Sequence, residues 1–152
     1  MEEHPKVVCN QCYYEADAHS FCLISETEYE KYYYYCPVDE KYYYDADSIE
    51  THILLEIDIN CTKPWILIFD SSGYGLKHLW HHRVRKTVYN LLSSYLFENL
   101  KNIIIINPSM IFKSILNTNW YFIPIEFRNK IKHDDLNKNF AKMIQTIISK
   151  VQ

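Results

Sequence analysis

Cys9 and Cys12, in the stretch "CNQC", are the residues of this chain whose type and spacing most clearly suit chemistry. A Cys-x-x-Cys turn lets two thiolates grip one ion while the backbone between them bends towards sulfur. Zinc then needs two more thiolate, imidazole or carboxylate donors to close a tetrahedron. A second half-site begins at Cys36, in "CPVDE". Where a zinc knuckle would repeat the cysteine, this chain has Asp39, and His19 and Cys22 lie between the two halves. The expectation is one structural zinc on Cys9, Cys12 and Cys36, with Cys22, Asp39 or His19 as fourth ligand. A thiol–disulfide oxidoreductase using Cys9 and Cys12 is the rival. It requires a lowered thiolate pKa and a helix N-terminus, and "CYYEAD" does not read as a helix start.

Other reactive groupings read as structure. His78, His81 and His82 recur at i, i+3 and i+4 on an expected helix, but Arg83, Arg85 and Lys86 surround them and no carboxylate partner stands beside them. Asp70, Ser71 and Ser72 lack the glycine context of a nucleophile elbow and read as a helix cap or an entry turn. No catalytic residue is assigned. Arg128 and Lys130 are the candidate ligand-binding cations, set against the plainer reading of a solvated strand edge.

The elements that must position these groups divide near residue 48. Residues 1–47 hold four of the five cysteines and ten of the fourteen tyrosines, and 48–152 hold most of the aliphatic residues and both glycines. The expectation is a zinc-ribbon-like module at 1–47, in which "KYYYYC", "PVDE" and "KYYYDAD" form strand, turn and strand, followed by an α/β domain at 48–152. In that second part "HILLEIDIN" alternates like a half-wet strand. "WILIFD" and "NIIIIN" are continuous apolar runs suited to strands buried on both faces. Helical spacing runs from Leu76 to about Phe97, again after Pro108, and again over "DDLNKNFAKMIQTIISKVQ". The fold class is therefore α/β, a small mixed sheet with helical crossovers.

These motifs, in this order, resemble the CRAL-TRIO domain and its scaffold-type relatives, the BCH domains, over about residues 50–150. The residues that carry the resemblance are Asp70 and Gly73 after the first apolar strand, Asn107 and Pro108 after the second, Phe112 early in the next helix, and Arg128, Lys130 and Ile131 in the late "FRNKI". The STAS domain is similar in architecture. The resemblance implies lipid binding or transfer, or a scaffold role.

Composition excludes several classes. A net charge of −3 without a basic block argues against nucleic acid as partner. No apolar stretch is long enough to span a membrane, and the acidic "MEEHPKVV" is no secretory leader. An odd cysteine count fits a reducing compartment, so a cytoplasmic location is expected. The helices that wall the pocket of lipid-transfer members are missing from this length of chain, so no internal cavity is expected. The expected role is non-enzymatic binding of a protein partner or a second copy through Trp120, Tyr121 and Phe122, with lipid binding as the alternative.

Overall fold

The computed structural model describes residues 7–57, 60, 62–94 and 97–133. The helix expected over 134–152 lies outside them. Two tyrosine-rich or mixed segments open the sheet. Strand β1 (Cys22–Glu26) pairs antiparallel with β2 (Lys31–Tyr35), and Thr27 shapes the turn by accepting from the backbone N–H of Tyr29 and Glu30. "KYYYDAD", expected as the partner strand of β2, is instead a turn leading into a helix.

That helix, α2 (Ala46–Glu56), replaces the strand expected at "HILLEIDIN". Asp45 caps it by accepting from Ser48 N–H at 3.1 Å. Ala46, Ile49, Ile53 and Ile57 are all buried, at helical rather than alternating spacing. The alternation beyond Ile53 was a fragment of a longer period that begins before it. Topology demands the same outcome, since β2 lies parallel to β3 (Trp65–Asp70), Lys31 opposite Trp65 through Tyr35 opposite Phe69. Parallel neighbours need a crossover, usually a helix.

The chain then repeats this step. Helices α3 (Leu76–Trp80) and α4 (His82–Leu92) connect β3 to parallel β4 (Leu100–Ile106). The single long helix expected here breaks at His81, whose ψ is 65°. Helices α5 (Met110–Asn119) and α6 (Ile125–Arg128) connect β4 to parallel β5 (Ile131–His133). The result is a five-stranded mixed sheet in the order β1-β2-β3-β4-β5. Residues before 48, expected as a module of their own, thus supply two strands of the one sheet. A five-residue helix, α1 (Asn10–Tyr14), precedes them.

Alternation sorts the sheet's faces. Tyr33, Tyr35, Trp65, Leu67, Ile103 and Ile105 pack with α2 and α4 in one core, while Ile66, Ile68, Ile104 and Ile106 form a second cluster on the other face with Tyr32 and Tyr34. At the end of β3, Asp70 accepts from Ser72 N–H and from the Tyr34 hydroxyl, so it shapes the entry turn rather than capping a helix. Gly73 has φ +69°, and a Cβ there would sit 3.2 Å from Val38. Among the described residues no helix is long and apolar enough to cross a membrane.

Candidate functional site

Helix α5 has no fully buried residue; its Phe112, Ile115 and Leu116 are only half-covered. It stands off from α4, and between the two helices, above the sheet, lies a cleft of about 580 Å³. Val88, Leu92, Ile103, Ile105, Ile115, Leu116 and Phe127 give it apolar walls. The expectation of no internal cavity concerned an enclosed void; what the described residues leave is an open cleft, because the crossover helices splay instead of closing on each other. Phe122 forms part of the rim and is 86% exposed. Tyr121 is also exposed, and with Trp120 it holds the Arg128 guanidinium at 5.8 and 5.9 Å. Arg128 also donates to the Ile123 carbonyl, and the Lys130 carbonyl accepts from Ile103 N–H. Both candidate cations thus sit in the connection that leads into β5.

Part of the cleft's lining is polar. Tyr35, Tyr43, Tyr74 and Arg85 line it. Burial raises all three tyrosine pKa values, and the Arg85 charge opposes the rise at Tyr43 and Tyr74. His78 packs edge-on against Tyr43 and stacks on Tyr74, and its Nδ1 accepts from Gly75 N–H at 3.1 Å. This histidine is a buried structural part of the turn into α3, and the reading of the histidine trio as a solvated helix start does not extend to it.

A second centre lies near the N-terminus. Cys9, Cys12, His19 and His52 each bring one donor atom within 4.8 Å of the others. Cys9 is the N-cap of α1, and its Sγ accepts from Cys12 N–H, so the Cys-x-x-Cys turn does start a helical turn. Both thiols lie 3.6 Å from His52 Nδ1. His52 Nε2 donates to the Phe21 carbonyl at 2.7 Å, which fixes Nδ1 as the free lone pair. His19 Nδ1 lies 2.9 Å from the buried Glu40 carboxylate, whose other oxygen accepts from Ser20 N–H. Burial raises the Cys12 thiol pKa, with Cys9 adding to the rise. That is the wrong direction for an attacking thiolate.

Of the ligands expected from sequence, the structure brings together Cys9, Cys12 and His19 but leaves out Cys36, Cys22 and Asp39. Cys36 follows Tyr34 in the alternation of β2 and lies near Asp70, with its thiol pushed up chiefly by burial. Cys22 is on β1 opposite Tyr34, and Asp39 is exposed in a short 3-10 turn. The member of the cluster that the sequence expectation lacked is His52. Its signal was an imidazole on the apolar stripe of a helix, one position before Ile53, which is visible only once the segment is read as helical.

Residues 46–151 match the family model of the CRAL/TRIO domain, from the first residue of α2 onwards. Caytaxin from Macaca fascicularis is 21% identical over 92 residues, which is 60% of this chain and 25% of that protein's length. The chain thus spans about a quarter of that relative.

Proposed function

The chain belongs to the CRAL/TRIO domain family, and on that premise we propose that it binds a lipid-like apolar ligand in the cleft between α4 and α5, with a zinc ion tying its N-terminal segment to α2. The cleft carries the first part. Its volume of about 580 Å³ lies within the ~300–1,000 Å³ usual for ligand pockets, and its walls are mainly aliphatic and aromatic. Such walls gain by being covered, at about 25 cal/mol per Å² of apolar surface removed from water. The test is native mass spectrometry with lipid extraction of the purified chain, beside titration with a neutral fluorescent apolar probe. A stoichiometric apolar ligand, displaced by the probe and lost in Leu116→Glu, is the expected result. A chain that binds neither lipid nor probe would end the proposal.

The zinc rests on geometry. Zn–S bonds of about 2.3 Å and Zn–N bonds of about 2.0–2.1 Å at tetrahedral angles put sulfur and nitrogen roughly 3.6 Å apart. Both thiols of the cluster stand 3.6 Å from His52 Nδ1. The Glu40–His19 contact and the Phe21–His52 bond are the outer partners that metal-bound imidazoles need. Four protein donors leave no open position, so the site is structural. Elemental analysis should find about one zinc per chain, lost in His52→Ala and retained in Cys22→Ser.

A protein-docking role is a second reading, supported by the exposed Tyr121 and Phe122 at the cleft rim. Native mass of the same sample separates a monomer carrying ligand from an assembly.

A further inference from the structure

Two polar atoms in the cleft's lining side chains are buried without use. The Tyr35 hydroxyl and the Arg85 Nε have no hydrogen-bond partner among the described residues, and Tyr35 is only 2% exposed. Buried donors are nearly always paired, and leaving one unpaired is costly. Such groups at a cavity wall mark where a ligand's polar end belongs. The lining has a consistent sign as well. His82, Arg85 and Lys86, on one face of α4, are its ionisable basic groups, and no carboxylate is among the described lining residues. That is unexpected in a chain of net charge −3. Arg85 acts on Tyr43 and Tyr74, which line the same cleft as Tyr35, while the Glu40 carboxylate that acts on Tyr35 and Tyr43 lies outside the lining and is held by His19 and Ser20.

We propose that the cleft selects an amphiphile with an anionic head, a carboxylate or a phosphate monoester, whose head meets the Arg85 guanidinium and the Tyr35 hydroxyl while its tail lies along the walls of α4, α5 and β4. This rests on the reading of the cleft as an apolar-ligand site and names the ligand class. An oxyanion satisfies both orphaned groups at once, since each is a donor and the head is acceptor-only. A neutral hydroxyl head offers fewer acceptor positions and no charge. A cationic head meets the like charges of Arg85 and Lys86. The volume suits one tail rather than two, being that of a pocket for a drug-sized molecule.

The experiment is displacement of phenylnaphthylamine, a neutral apolar probe, from the zinc-loaded full chain by a tail-matched series: hexadecanoic acid, hexadecyl phosphate, hexadecanol and hexadecyltrimethylammonium. Acetate and inorganic phosphate are the tail-free arms. The acid and the phosphate ester should displace the probe at about tenfold lower concentration than the alcohol, as expected of a hydrogen bond to a charged group, with the ammonium weakest. Arg85→Gln should cost the acid far more than it costs hexadecanol, and Tyr35→Phe should cost the acid severalfold more than the alcohol, with far-ultraviolet circular dichroism of each variant as the check that it is folded. Equal binding of acid and alcohol overturns the headgroup assignment and leaves the apolar-ligand reading standing. Failure of all four tailed compounds overturns that reading too. Binding of acetate or inorganic phosphate as tightly as their tailed counterparts makes this a bare anion site and overturns the amphiphile.

Discussion

Glu40 touches no candidate metal ligand atom other than through His19, yet it decides how that imidazole is presented. Its carboxylate holds His19 Nδ1, and Ser20 holds the carboxylate. Losing such an outer partner typically costs about 10–100-fold in metal affinity. Glu40→Gln is therefore expected to weaken zinc binding by that factor in a chelator competition, while Cys36→Ser leaves it unchanged. The opposite pattern would restore Cys36 to the ligand set that its position in "CPVDE" suggests. Three of the four clustered residues were legible, Cys9 and Cys12 because a Cys-x-x-Cys pair is a local feature and His19 as one of three candidates for the fourth position. Which candidate joins them, and that His52 does, depends on which side of a strand or helix a residue faces, and that is settled by pairing partners far away in the chain.

His78 gives a pH test at the same scale. Its pKa is lowered mainly by burial, with the charges of Lys77 and His81 adding. A base with a depressed folded-state pKa stays neutral in the fold while the unfolded chain takes up a proton, near pH 6.5 and below. Folding stability therefore falls as pH drops through that range, and the residue contributes no pH dependence well above it. Thermal melts from about pH 7.5 to 5 should show a steeper decline for the wild type than for His78→Asn. Parallel curves would mean that His78 is solvated.

Elements were readable where one face or two faces decide the pattern locally. "WILIFD" and "NIIIIN" have no polar face because both sides of β3 and β4 are buried, in the two clusters that flank the sheet. Ile68, fully buried, is expected to tolerate no charge. Ile68→Asp would leave an unpaired carboxylate in the second cluster at a cost of several kcal/mol, comparable with the stability of a whole domain. Soluble yield and a denaturant melt check this, and an unaffected variant would place Ile68 at the surface. Helix α2 and strand β1 were not readable in the same way. The period of α2 is broken by His52, and the residues of β1 are only half-buried, so neither carries a clean pattern. The splay of α5 from α4, which makes the cleft, leaves no mark in either helix, since both keep an ordinary apolar stripe.

At the scale of the molecule, the segment that matches the CRAL/TRIO model starts at residue 46, whereas the sheet starts at Cys22. Residues 46–151 expressed alone would uncover the edge of β3 that β2 now pairs from Trp65 to Phe69. An exposed apolar edge strand is a template for association. The expected result is aggregation of the shortened chain by light scattering at concentrations where the full chain stays dispersed. A monodisperse shortened chain would show that β3 tolerates being an edge.

His52 belongs to α2, yet its nearest donor partners lie 43 and 40 residues earlier in the chain. A metal shared between them would bind the folded arrangement and not the open chain, so its binding free energy would be folding free energy. It would have to offset the entropy of closing a loop of forty residues, about 4 kcal/mol by the chain-entropy relation used for cross-links. The two thiols are made first and must wait for α2 before the set is complete. Metal capture would then mark the moment when the first two strands commit to the crossover, and metal release would return them to the entropy of an open chain.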